Sequence, residues 1–275
     1  MRFASPIRAP AFTTTFAACS SRKTNVSEEA SPALPPNALR EVFATYGVAF
    51  LGTAALGFAS PLHPWLGELA AVGTALLFFA LALRAARKER GGAERFGIDL
   101  GHVIDAGDAP DEGILRALCK ALPSGLREAG VAFALAALVF PPFIVGFYFW
   151  HQPARPFHLS APGDLASFVV GQFLMVALSE EAFFRGFVQT RLHDAWKPNR
   201  VVFGAHLNVR VILMQSVLFA LVHIATGWQL DRLATFFPGL VFGWLRARRG
   251  GIGAALCFHA LCNILADFLV RGWLS

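Results

Sequence analysis

Charge is scarce in this sequence. Asp, Glu, Lys and Arg make up 15% of the residues, against roughly a quarter in ordinary soluble domains. A soluble fold of this length needs more than that to cover its surface. With 55% hydrophobic residues and a mean hydropathy of +0.52, the chain reads as a polytopic membrane protein. Cysteine is scarce as well. Cys19, Cys119, Cys257 and Cys262 form no CxxC pair and no metal spacing among themselves, which excludes a disulfide framework or a zinc ribbon. No His-Glu-x-x-His occurs. Asp99, Asp105, Asp108, Asp111 and Glu112 lack the ligand spacing of a calcium loop. No internal repeat and no separate soluble domain is visible. The net charge of +6 would suggest nucleic acid in a soluble protein; here it reads as basic loops held on the cytoplasmic side. The expected surroundings are a lipid bilayer, with no nucleic-acid partner.

What is present is a series of apolar runs. Residues 1–37 are rich in Ser, Thr, Ala and Pro and read as a disordered cytoplasmic tail. Phe16-Ala-Ala-Cys19 has the look of a lipoprotein box but lacks an apolar region before it. Spans are expected at about 39–60, 65–83 and 129–150, the last interrupted by Pro141-Pro142. A polar connection, 84–127, carries an amphipathic piece near 114–122. A fourth span starts at Leu165 and continues as an amphipathic helix to Trp196; three more cover about 211–226, 233–245 and 252–270. Lys and Arg collect in the N-terminal tail, 84–128, 186–210 and 246–251, whereas 61–64, 151–163 and 227–232 hold only Arg155 and Arg232. An all-α bundle of about seven spans with a cytoplasmic N-terminus satisfies this pattern. It divides into the tail (1–37), an N-terminal membrane region (38–160) and a C-terminal membrane core (161–275), and a bacterial inner membrane is the expected location.

The chain is organised around Ser179-Glu-Glu-Ala-Phe-Phe-Arg-Gly186. Glu180, Glu181 and Arg185 interrupt an apolar helix, where each charge costs roughly 2.5–3.5 kcal/mol on insertion scales. They must compensate one another, find partners on other helices, or do chemistry. Glu181 and Arg185 are four apart and share a face, so they can pair. Glu180 sits about 100° round the helix and is aimed elsewhere. A free carboxylate beside a paired one suits acid–base work. The later spans add His223, and His259 with Asn263 four residues on, hence on one face. Hydrolysis needs such a set: a carboxylate to deprotonate water, an imidazole to orient it, donors for an oxyanion. Gly239 and Gly243, a small-xxx-small pair, and Gly253 suit close helix approach. Cys257 and Cys262 read as packing, and His151, His158, His193 and His206 as loop or interface residues.

Glu-Glu-x-x-x-Arg, Phe-x-x-x-His and His-x-x-x-Asn, in that order on successive late helices, resemble the CPBP family of CAAX-protease and bacteriocin-processing intramembrane endopeptidases, also called the Abi family. The resemblance covers about Leu165 to Val270, and every motif residue is present. It implies that Glu180 activates the attacking water and that His223 helps hold it. It also implies that His259 and Asn263 stabilise the oxyanion, with Glu181 and Arg185 in support. Metal is open: the favoured reading has no cofactor, and the alternative is a zinc ion on Glu180, His223 and His259. The expected partner is a membrane-associated protein or peptide, cut near its terminus or anchor. It is a prenylated CAAX protein, a bacteriocin-like peptide or, as in the myxosortase-like branch, a C-terminal sorting signal. Two other readings compete. One is a non-catalytic immunity or scaffold protein of the same fold; the other is a proton-coupled transporter, which the lack of repeated halves opposes. The topology also carries a tension, since Glu180 and His259 fall toward the cytoplasmic half and His223 nearer the outer end.

Overall fold

The computed structural model describes residues 37–99, 114–227 and 229–274. The expected tail, the Phe16–Cys19 stretch and the acids at 105–112 lie outside the described residues. Within Pro35–Ser275, which is one compact unit, the described chain is an all-α polytopic bundle. Its elements are α1 (Ala38–Ala59), α2 (Pro64–Ala86), α3 (Gly92–Phe96), α4 (Ile114–His151), α5 (Leu165–Ala195), a hairpin of β1 (Arg200–Val202) and β2 (Ala205–Leu207), α6 (Val209–Ala225), α7 (Phe236–Arg249) and α8 (Gly253–Trp273). Five of these helices (α1, α2, α4, α5 and α8) are long and apolar enough to cross a membrane. The shorter α6 has 17 residues, about 25 Å at 1.5 Å per residue, close to a bilayer core of about 30 Å.

The bundle is inverted relative to a soluble protein. Leu51, Leu76, Leu138 and Trp150 face outward, while Glu181, Arg185, Gln189, Arg191, Gln215 and His259 are buried. Lipid is as apolar as leucine, so packing and polar contacts, rather than hydrophobic burial, must hold these helices together. Glycine supplies the close approaches. A Cβ on Gly243 would stand 2.5 Å from Gln215 Nε2, and one on Gly186 would stand 2.8 Å from Ile98 Cγ2. The carbonyls exposed by the small-residue stripe of α7 are used: Gly239 accepts from Gln215 Nε2 at 2.9 Å and Gly243 from Gln189 Nε2 at 2.9 Å.

Three local features were not expected from sequence. α4 runs unbroken through Pro123, Pro141 and Pro142, because a membrane helix tolerates proline where neighbours resatisfy the backbone. Two stretches of α5, Gln172–Ala177 and Ala182–Val188, are π-helical and flank the single α-helical turn Leu178–Glu181. The 84–127 connection is not simply a solvated loop. Its α3, with Phe96 and Ile98 fully buried, tucks into the bundle, and the Gly97 carbonyl accepts from Ile252 N at 3.0 Å.

One end of the bundle carries the basic residues and an ion-pair lattice. The buried Arg191 guanidinium meets Glu41 at 3.0 Å, Glu89 at 2.5 Å and Asp194 at 3.3 Å, while Arg95 holds Asp194 at 2.6 Å and also pairs with Glu89. Burial alone would raise the Glu89 carboxyl, but hydrogen bonds and charge from Arg191 and Arg95 outweigh it and leave the group below its ordinary value. This lattice ties α1, the end of α2, α3 and α5 together. Arg249 on α7 adds Glu128 on α4 at 2.5 Å.

Candidate active site

α5 places Glu180 and Glu181 on the turn between its two π stretches, so successive carboxylates serve different partners. Glu181 is fully buried and its Oε1 is shared: Arg185 Nη1 donates to it at 2.9 Å and His259 Nδ1 at 2.8 Å. Arg185, also fully buried, lies over the rings of Phe219 at 4.2 Å and Phe242 at 4.9 Å. Its Nη2 reaches the Gly239 carbonyl at 3.4 Å. The expected Glu181–Arg185 pair is therefore present, with His259 as its third member. Rings hold both imidazoles. His259 stacks on Phe242 with centroids 4.7 Å apart, and His223 meets Phe219 edge-on at 4.5 Å.

Glu180 turns the other way. Its Oε2 stands 3.7 Å from His223 Nε2 and 3.7 Å from His259 Nε2. It has no hydrogen-bond partner among the described residues although the atom is buried. The tautomers follow from the other ring nitrogens. His223 Nδ1 lies 2.7 Å from the Phe219 carbonyl, and His259 Nδ1 contacts the Glu181 carboxylate. Both partners only accept, so each Nδ1 carries a proton and each Nε2 is the ring nitrogen turned toward Glu180. The buried Glu180 Oε2 thus stands beside both Nε2 atoms with no hydrogen bond among the described residues. A water molecule would suit such a carboxylate oxygen as a donor, and a divalent cation is the other ligand such residues can take. Among the described residues no cluster of three or more His, Cys, Asp or Glu has metal-holding geometry.

A cavity of about 290 Å³ opens from this point between α1, α2, α5 and α6. Glu180 and His223 line its inner part, Thr53 stands on its α1 wall, and Ser60, Thr226 and Arg232 stand at the helix ends away from the basic lattice. Phe78, which also lines the cavity, packs with the buried rings of Phe183 and Phe184, stacking on Phe183 at 5.2 Å.

The expected mismatch in depth does not arise. His223 and His259 both stand 3.7 Å from Glu180. Glu180 lies 15 residues from the Ala195 end of α5 and His223 lies 14 from the Val209 end of α6, each about 21–23 Å at 1.5 Å per residue. His259 is six residues from the start of α8, about 9 Å. α8 therefore begins deeper, and Gly97 and the buried Ile98 occupy the space below its first turn.

Asn263 sits apart from this point. Its Nδ2 donates to Gln172 Oε1 at 3.0 Å, and it lines a second, apolar cavity of about 530 Å³ between α4, α7 and α8. Gln172, Gln189, Gln215 and Phe219 went unnoticed as candidates. The glutamines were detectable as amides within apolar runs, where an unpaired amide is costly. For Phe219 the signal was its place in the Phe-x-x-x-His motif.

Residues 162–265 match the family described as type II CAAX prenyl endopeptidase Rce1-like. Over these residues the chain is similar to that family. The matched segment runs from just before α5 into α8 and contains every candidate residue above. Its Rce1-like character accords with the resemblance drawn from the three motifs, and no myxosortase-like branch is distinguished by it. No curated protein and no solved structure matches the chain.

Proposed function

We propose that this chain is an intramembrane endopeptidase in which Glu180 deprotonates a water molecule for attack on a peptide carbonyl. The observation that carries the reading is that His223 Nε2 and His259 Nε2 each stand 3.7 Å from the unpartnered Glu180 Oε2, with Glu180 and His223 lining a cavity. Water bound there donates one hydrogen to Glu180 and one to an imidazole, leaving its lone pair for the substrate. As the C–O bond forms, the water proton moves to the Glu180 carboxylate, which passes it to the leaving amine. His259 is fixed in ring orientation and tautomer by Glu181, as a catalytic imidazole is fixed by a buried acid. Arg185 in turn holds Glu181. Asn263, whose amide leans on Gln172, is assigned to the oxyanion together with His259. That role requires its amide to exchange Gln172 for the substrate oxygen. Residues 161–275 form the catalytic core, and 38–160 wall the cavity and carry part of the lattice.

The substrate is a membrane-associated protein or peptide cut near its terminus or anchor. The basic end of the bundle is assigned to the cytoplasm, with the N-terminus on that side, in the inner membrane of a bacterium. The test is a deletion strain complemented with wild type, Glu180→Ala, Glu180→Gln or His223→Ala at matched levels. Membrane proteins are mapped by terminal-peptide mass spectrometry. Wild type restores a processed terminus and the three variants do not. Restoration by the variants instead establishes a structural cluster and an immunity or scaffold protein.

In a second reading Glu180, His223 and His259 would hold a zinc ion, although among the described residues they form no metal-holding cluster. Activity that survives 1,10-phenanthroline in protein without stoichiometric metal supports the metal-free reading; loss restored by zinc supports the other.

A further inference from the structure

A third cavity, at the basic end of the bundle, is lined by cations that the rest of the fold leaves uncompensated. It encloses about 280 Å³ where the end of α5, the residues after it, the β1–β2 hairpin and the end of α7 meet. Arg246 of α7 lines it. Its Nη1 donates to the Gly250 carbonyl, and its Nη2 to the Arg95 carbonyl at 3.1 Å and to Thr190 Oγ1 at 3.4 Å. All three acceptors are neutral. The Arg246 Nε is buried without a partner among the described residues, and so is Nε2 of His193, which lines the same cavity. A guanidinium N–H can only donate, and native folds seldom leave a buried donor unpaired. Gln189 Oε1, also unpartnered, stands 3.3 Å from where a Cβ on Gly243 would be, so it faces the α7 backbone. Lys197 and His206 stand at the exposed lip.

Asp194 is the carboxylate in the lining, and its charge is already taken. In the lattice Lys88, Arg95 and Arg191 face Glu41, Glu89 and Asp194, three cations against three anions. No carboxylate among the described residues pairs with Arg246 or Lys197, so two positive charges are left over at the cavity. Donors drawn from α5, the residues after it and α7 surround the space. That suits a tetrahedral oxyanion better than a planar carboxylate, and Arg and Lys are the side chains that recognise phosphate. The mouth adjoins apolar surface. Val201 is the cross-strand partner of His206, so the two side chains share a face of the hairpin. Val201 is 62% exposed and Phe203, at the turn, 87%. Trp244 Nε1 ties the hairpin to α7 through the Val202 carbonyl at 3.1 Å.

We propose that this cavity is a phosphate-binding site, with Arg246, Lys197 and His193 as its donors, for a phosphate carried on an anionic phospholipid or free in solution. The exposed valine and phenylalanine beside the mouth suit the lipid, since basic pockets between membrane helices take anionic headgroups. The site needs neither the hydrolytic reading nor an assigned side of the membrane. A phosphate held there bridges α5 and α7, and a ligand that binds only the folded chain raises its melting temperature.

The experiment records melting of the purified full chain in detergent micelles at fixed ionic strength. The titrants are dioleoylphosphatidylglycerol, dioleoylphosphatidylcholine and inorganic phosphate. Wild type is expected to melt about 5 °C higher at a phosphatidylglycerol concentration a hundredfold above Kd. Phosphatidylcholine, whose choline cation meets the same positive charges, is expected to bind at least about tenfold more weakly. Arg246→Gln and Lys197→Gln, the second at an exposed position, are each expected to raise Kd roughly ten- to a hundredfold, the size of one charge-assisted hydrogen bond. Arg246→Lys is expected to recover part of the loss. Arg84→Gln, at an exposed basic residue outside the cavity, is expected to leave Kd unchanged. A response to phosphatidylglycerol that inorganic phosphate neither reproduces nor displaces assigns the site to lipid. A response to inorganic phosphate that the same two variants lose assigns it to free phosphate, and either result upholds the site. No rise with phosphatidylglycerol or phosphate beyond that with phosphatidylcholine overturns it. So does titration of Arg246→Gln and Lys197→Gln with the Kd of wild type.

Discussion

At the residue scale, the two adjacent glutamates do different work because their partners differ. Glu181 is a fully buried acid shared by a buried guanidinium and an imidazole. Glu181→Gln removes one partner of a buried pair and leaves Arg185 uncompensated, which costs about 3–5 kcal/mol; thermal unfolding in detergent or nanodiscs should show a clear loss. Glu180 has no such partner to strand, so Glu180→Gln should fold as well as wild type. The two substitutions therefore separate support from chemistry. Sequence reasoning reached this distinction through the 100° offset of neighbouring helical positions. It did not reach the Asn263–Gln172 contact, because position along a helix says nothing of what faces it from another.

At the scale of elements, the helices were legible because long apolar runs between basic loops have few alternatives in a bilayer. The small-residue approach of α7 was legible too, and Gly239 and Gly243 do expose carbonyls that Gln215 and Gln189 use. The π stretches of α5 were not legible. They trade backbone regularity for the placement of Glu180 and Glu181 between α6 and α8, a choice made by tertiary partners rather than by local propensity. Nor was the burial of α3, since Gly-Ala-Glu-Arg-Phe is not an apolar run. The contact between these two features is testable. Gly186→Ala puts a methyl 2.8 Å from Ile98 Cγ2, and overpacking of this kind costs about 1–3 kcal/mol. Gly186→Ala combined with Ile98→Ala should destabilise by less than the sum of the two single effects, as a double-mutant cycle would show.

At the scale of the whole molecule, two ends with different character frame the bundle: a basic ion-pair lattice, and the cavity rim at Ser60, Thr226 and Arg232. Arg191 is the centre of the lattice. Arg191→Ala should lower stability by about 2–4 kcal/mol, less than for a fully buried pair because Glu41 and Glu89 stay partly solvated. The lattice also sets an acid limit. Glu89 is held below its ordinary value of 4.5 by Arg191 and Arg95. A depressed carboxylate stabilises the fold above its unfolded value, and that contribution is lost as pH falls through the lower folded one. Melting temperature should therefore decline below about pH 4.5, and the part of the decline due to Glu89 should be smaller in Arg191→Ala.

The central claim is that Glu180 is the base. The most direct measurement is the turnover of purified wild type and Glu180→Gln in nanodiscs on a pool of lipid-anchored peptides of mixed sequence, with the melting temperature recorded for both. The account predicts a fall in kcat of about 10²–10⁴-fold, the usual contribution of a positioned acid–base group, with melting unchanged. Glu180→Gln turning over within a few-fold of wild type would contradict it.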